Sequence, residues 1–222
     1  MLPKALPALP GVTFAAGRRA ARSVSGDYFD AVPLGSQVVL CIGDVIGKGV
    51  PAAMLMSNLQ AAVRAGCTPD VEPGTLCARL NNAMCENMPS GKFITFVCCV
   101  LDAERKTLSY SNAGHSAPVL IRANGELVRL DQGGMVLGLF HDVVYQQATV
   151  ALAPGDRLLL FTDGVTEARN AEGEEFGDDR LIAEAMMART LPPAALKDRL
   201  LATATTFGDL HDDATLLVAA VD

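Results

Sequence analysis

A chain of 222 residues, 50% hydrophobic and 19% charged, can build one substantial core and is too apolar to be disordered. A net charge of −7, the absence of Trp and an aromatic content of 5% exclude a binder of nucleic-acid backbones or a base-stacking platform. No stretch approaches the roughly 20 apolar residues of a membrane span, and six Cys without zinc-type spacing or a preceding signal peptide point to the reducing cytoplasm.

Residues 1–11 are Pro-rich and read as a lead-in; residues 12–222 read as a single domain. The pattern predicts a first strand over 12–21. A hairpin follows over 28–34 and 36–42, turning near Pro33, Leu34, Gly35 and Ser36. Its second strand is apolar throughout, as expected of a strand buried on both faces. After Gly49 the period changes. Ala52, Ala53, Leu55, Met56, Leu59, Ala62 and Val63 fall at helical spacing, with Pro51 suited to the first turn and Gly66 to the end. A second helix follows Glu72, Pro73 and Gly74 and runs through Leu76, Leu80 and Met84 towards Asn87, and Pro89, Ser90 and Gly91 then break the chain.

Strand patterns return over 93–101 and 107–111, over 118–122 and 126–130 around Asn124 and Gly125, and over 145–152 and 157–161 around Pro154 and Gly155. Each pair reads as a hairpin. Helices are expected over 178–189 and 193–207, and a closing strand over 214–221. Hairpins dominate and a regular βαβ alternation is missing, so the fold class is α+β with mainly antiparallel sheets.

Four acidic motifs sit where strands hand over to turns. They are Ser25-Gly26-Asp27-Tyr28-Phe29-Asp30, Gly43-Asp44-Val45-Ile46-Gly47-Lys48-Gly49, Phe161-Thr162-Asp163-Gly164 and His211-Asp212-Asp213-Ala214-Thr215. Any one Asp-Gly is an ordinary turn. Four carboxylates on strand ends of one domain, beside small residues, suit a hard cation such as Mg²⁺ or Mn²⁺. The Val45 carbonyl can join Asp44 as a ligand. Two cations roughly 3.5–4 Å apart would activate a shared water and stabilise charge developing on phosphorus, with no protein nucleophile required.

Other residues leave alternatives open. Asp213 can be a ligand or can cap the turn before the last strand. Lys48 reads as a solvated turn side chain more readily than a catalytic one. His115 can be a general acid or a strand-end anchor, while His141 and His211 carry little signal. Met54, Met56 and Leu59 read as core or as a partner-facing helix stripe. Arg18, Arg19 and Arg22 form the one local basic cluster.

In order and spacing these motifs resemble those of the metal-dependent Ser/Thr phosphatases of the protein phosphatase 2C type, in their bacterial SpoIIE/RsbU-like branch. The matching text also includes Leu9-Pro10-Gly11, Val50-Pro51-Ala52-Ala53, Asn112-Ala113-Gly114-His115, Val165-Thr166-Glu167-Ala168 and Phe176-Gly177. The resemblance covers nearly the whole chain. It implies an α-β-β-α sandwich with a two-metal centre at one end, holding Mn²⁺ or Mg²⁺. By the same resemblance Asp44 bridges the ions. Asp27 and the Val45 carbonyl complete one site, Asp163 and Asp212 the other, with Asp213 the lesser candidate and Asp30 nearby. The two helices after Gly49 match the pair that couples metal binding to regulation in this branch.

The substrate implied is a phosphoserine or phosphothreonine protein, of which a STAS-type anti-sigma-factor antagonist in a partner-switching or stress-response pathway is the expected case. An upstream regulator or sensor domain is a further expected partner; nucleic acid and membrane are not. Ser25 stands where a first Gly is common and Ile46 where a small residue is usual. Neither departure removes a carboxylate. The chain begins almost at the first motif, as either a free-standing phosphatase or the catalytic part of a longer protein. Two rivals remain at this level: a non-catalytic binding module, and a hydrolase of small phosphorylated metabolites.

Overall fold

The computed structural model describes residues 3, 5–21, 26–89 and 91–222. Met1, Leu2 and Lys4 of the lead-in, Arg22 of the basic cluster, Ser25 of the first acidic motif with Ser23 and Val24 before it, and Ser90 of the predicted break lie outside the described residues.

In chain order the elements are β1 (Val12–Arg19), β2 (Tyr28–Leu34), β3 (Gln37–Val45), α1 (Val50–Gly66), α2 (Pro73–Asn87), β4 (Ile94–Asp102), β5 (Thr107–Ala113), β6 (Val119–Ile121), β7 (Leu127–Arg129), β8 (Gly133–Gly134), β9 (Ala148–Ala151), β10 (Arg157–Phe161), α3 (Asp163–Thr166), α4 (Gly177–Met187), α5 (Pro193–Phe207) and β11 (Ala214–Val221). One sheet runs β1-β11-β10-β6-β7 and the other β2-β3-β4-β5-β8, with β9 also on β5. Every pairing is antiparallel except β5 with β8.

The layers follow from which faces are apolar. Both faces of β3 are buried, because Val38, Leu40 and Ile42 point into the space between the sheets while Val39, Cys41 and Val45 point at the helices. The α1 residues Ala52, Met56, Leu59 and Val63 meet that second face at helical spacing. On the far side, α4 and α5 cover the other sheet through Leu181, Ala185, Leu196, Leu200 and Ala204. The result is helices, sheet, sheet, helices: the α-β-β-α sandwich the resemblance implies. Met54 stands 65% exposed while Met56 and Leu59 are buried, so the methionine stripe divides between surface and core.

Three predicted elements need correction. The strand expected over 145–152 is only β9, and it does not form a hairpin with β10. β9 pairs with β5 while β10 pairs with β6 and β11 in the opposite sheet, so the turn at Pro154 and Gly155 carries the chain between sheets. A hairpin and a sheet-to-sheet corner share the same turn residues, which is why the pattern did not separate them. Asp163 does not start a turn but opens α3, a single helical turn. The first strand ends at Arg19, short of the predicted Ala21.

Antiparallel pairing then gathers the acidic motifs. Tyr28 lies opposite Gly43, which sets Asp27 beside Asp44. Phe161 lies opposite Leu216, and the Thr162 amide donates to the Thr215 carbonyl, which sets Asp163 beside Asp212 and Asp213. All four motifs therefore emerge at one end of the sandwich.

Candidate metal centre

Asp27 is buried where the two sheets meet. Its Oδ2 accepts hydrogen bonds from Thr162 Oγ1, at 3.0 Å, and from Thr215 Oγ1. These two threonines come from the ends of β10 and β11 and tie the first motif to the third and fourth. Both stand inside the quoted motifs, yet nothing in their spacing announced this role. Burial raises the Asp27 carboxyl well above the usual carboxylate range; Asp44 and Asp213 push the same way, against the two threonine hydroxyls.

Asp44 is the hub. It is the penultimate residue of β3, and its carboxyl is hydrogen-bonded to Asp27 while feeling the charges of Asp163 and Asp212. Burial, then those two neighbours, hold its carboxyl up to about 7. Burial and Asp212 likewise raise Asp163. Carboxylates that raise one another in this way have converged, so a positive charge among them would relieve the repulsion.

Asp212 and Asp213 differ in use. Asp213 is buried and its Oδ1 accepts the Ala21 amide at 2.8 Å, tying the end of β1 to this loop. Asp212 keeps a half-exposed carboxylate, which accepts the Asp213 amide through Oδ1 and lies 3.6 Å from the Lys48 ammonium through Oδ2. Asp30 is engaged elsewhere. It is fully buried against α1, where Arg64 Nε donates to it at 2.8 Å and Tyr28 Oη at 3.2 Å.

His115 is the anchor rather than the acid. Its Nε2 faces the Phe161 carbonyl at 3.1 Å and must donate there, which leaves Nδ1 to accept from Thr95 Oγ1 at 2.8 Å. Burial pushes its pKa down to about 4, so the ring is neutral near pH 7. Thr95 lies opposite Asp44 in the β3–β4 pairing and Phe161 precedes Thr162 and Asp163. One imidazole thus joins the two sheets at the end where the carboxylates stand.

The donor set suits a hard cation. The candidate donors are carboxylate oxygens and the Val45 carbonyl, with no Cys or His among them. Gly26 forms part of the cradle: a Cβ there would lie 3.0 Å from the Val45 carbonyl oxygen and 3.2 Å from Asp44 Oδ1, filling the space between them. Among the described residues the acids do not close into a ready cage of three or more ligands. Ions such as Mg²⁺ ordinarily complete their shell with water.

Gly164 lets the halves of the site approach. A Cβ on it would fall 2.1 Å from the Asp213 carbonyl oxygen and 3.0 Å from that of Asp212. Gly164→Ala should therefore force the Asp212–Asp213 loop away from Asp163. The expected cost is about 1–3 kcal/mol of stability, read by denaturant unfolding, together with weakened Mn²⁺ binding. A variant as stable as the parent would show that this close approach is not needed.

Residues 35–222 match the family model described as Stage II sporulation protein E (SpoIIE). The chain belongs to the SpoIIE family. Among its relatives is phosphoserine phosphatase RsbU of Bacillus subtilis (strain 168), 32% identical over 202 residues that make up 89% of this chain. The chain spans 60% of the length of RsbU. Two solved structures fix the fold of this SpoIIE-family chain. The SiaA-PP2C domain of Pseudomonas aeruginosa superposes with a TM-score of 0.84 at 20% identity, covering 94% of this chain and 86% of that one. The catalytic domain of the serine/threonine protein phosphatase PstP, in complex with two manganese ions, superposes with a TM-score of 0.70 at 20% identity, covering 95% and 99%. The fold is that of the protein phosphatase 2C type. No helix among the described residues is long and apolar enough to cross a membrane.

Proposed function

We propose that this chain is a divalent-metal-dependent phosphatase that removes phosphate from serine or threonine of a protein. The observation that carries the reading is the Asp44 carboxyl, which is hydrogen-bonded to Asp27 and feels the charges of Asp163 and Asp212 at the joined ends of the two sheets. Membership of the SpoIIE family, and the phosphoserine phosphatase activity named for RsbU, support it. Two ions are proposed by analogy with PstP.

In this reading Asp44 would be shared by the cations, with Asp27 and the Val45 carbonyl holding one and Asp163 and Asp212 the other. When bound, Mn²⁺ or Mg²⁺ supplies an activated water and positive charge beside the phosphoryl group. The chain contributes the rest. Asp27 and Asp44 hold a proton between them in the cation-free state and give it up as they become ligands. Asp213 keeps its carboxylate on the Ala21 amide, so it positions the loop that carries Asp212. Thr162 and Thr215 hold Asp27, and His115 holds the two sheets in register.

The substrate proposed is a STAS-type anti-sigma-factor antagonist in a cytoplasmic partner-switching pathway, under an upstream regulator. A panel decides between this and its rivals. Phosphate release is measured on phosphoserine proteins, phosphopeptides and small phosphorylated metabolites, with and without Mn²⁺. Turnover is expected with Mn²⁺ and fastest on the phosphoserine protein. A preference for small metabolites would overturn the substrate assignment, and no release from any member would favour a binding module.

A further inference from the structure

Two ammonium groups stand at the rim of a site made of carboxylates, and the mechanism above gives them no task. Lys48 sits between Gly47 and Gly49, whose φ angles of 108° and 75° lie in the region that favours glycine. That turn leaves β3 just past Asp44 and carries the lysine across to the last motif, where its Nζ lies 3.6 Å from Asp212 Oδ2. Both side chains remain open to solvent, 47% exposed for Lys48 and 43% for Asp212. Lys92 reaches the same turn from the start of the β4 segment: its Nζ lies 3.2 Å from where a Cβ on Gly47 would be. Among the described residues no carboxylate lies within ion-pair distance of Lys92.

We propose that Lys48, assisted by Lys92, is the group that receives the substrate phosphate, and that it waits on Asp212 until a divalent cation takes that carboxylate. The inference rests on the phosphatase reading. A phosphate monoester brings close to two negative charges to a cluster of four acids. Cations among the acids face one side of it. The outward oxygens need donors of their own, and a lysine ammonium is a strong phosphate partner as a point charge. Lys48 already stands 3.6 Å from Asp212, one of the proposed ligands. A half-exposed ion pair is weak, so a cation on Asp212 or a phosphate beside it can each draw the ammonium away.

The two roles predict effects of opposite sign from one substitution. With Mn²⁺-loaded protein and inorganic phosphate as the probe, Lys48→Gln should weaken phosphate binding about 10–100-fold by calorimetry. It should raise KM for a phosphoserine protein by a similar factor, with a smaller change in kcat. Lys48→Arg should restore most of the phosphate binding. With cation-free protein and no phosphate, Lys48→Gln should bind Mn²⁺ up to about fivefold more tightly, because its rival for Asp212 is gone. Lys92→Gln should weaken phosphate binding less and leave Mn²⁺ binding unchanged. Phosphate binding equal to the parent's in Lys48→Gln would overturn the proposal, and so would Mn²⁺ binding weakened by that change. If the parent shows no turnover at all, the phosphatase reading fails, while the calorimetric comparison still tests Lys48.

Discussion

Replacing Asp44 with alanine should abolish metal-dependent phosphate release while leaving the cation-free protein at least as stable as the parent. Loss of an outer partner of a metal ligand costs about 10–100-fold; loss of the carboxylate shared by both proposed sites should exceed that. The stability effect has the opposite sign. In the absence of cations Asp44 is a partly buried acid near three others, held up to about 7 by desolvation and by the charges of Asp163 and Asp212. Removing it removes that repulsion. Thermal unfolding and phosphate release, measured on the same preparation, separate the two effects. A variant that loses activity and stability together has lost its fold rather than its metals, and a variant with unchanged Mn²⁺-dependent turnover would refute the role given to Asp44.

Stripping the cations should destabilise the protein in a pH-dependent way. The unfolded chain holds aspartate near 3.8, whereas the cation-free folded chain holds Asp44 at about 7 and holds Asp27 and Asp163 above the ordinary value. Across that window the folded state binds more protons than the unfolded state, so its stability falls as pH rises. The penalty from Asp44 is absent below about pH 4 and complete above about pH 7, where it is on the order of 3–4 kcal/mol. A bound cation replaces the proton and cancels it. Mn²⁺ should therefore raise the unfolding midpoint by roughly 10 °C at about pH 8 and much less at about pH 5. The affinity for Mn²⁺ should weaken as pH falls through 7, because binding displaces a proton shared by Asp27 and Asp44. A midpoint that shifts equally at both pH values would count against protonation of this cluster.

The layers were legible because the sequence changes period where the architecture changes. The apolar run from Val38 to Ile42 reads as a strand covered on both faces, and Ala52, Met56, Leu59 and Val63 fall at helical spacing. What escaped was pairing between distant segments. Ala153 to Asp156 reads as a hairpin turn, and nothing local reveals that β9 and β10 belong to opposite sheets.

The same limit applies to the site. Each acidic motif could be found by its glycines and its place beside an apolar run, but their convergence depends on long-range register such as Tyr28 with Gly43 and Phe161 with Leu216. Thr162 and Thr215 were in plain view and gained a role only once β10 and β11 set their hydroxyls on Asp27. The reverse holds for Asp213, the same residue type as its neighbour Asp212: folding buries it on the Ala21 amide and leaves Asp212 half-exposed beside Lys48. Lys48 reads as a solvated turn side chain until the last motif is folded against it.

As proposed, these carboxylates hold divalent cations without which no phosphate is released. The most direct test is phosphate release from a phosphoserine protein by metal-stripped parent protein, titrated with Mn²⁺. No turnover is expected in the stripped protein, with saturable recovery as Mn²⁺ is added. Undiminished turnover in the stripped protein, with chelator present, would contradict the proposal.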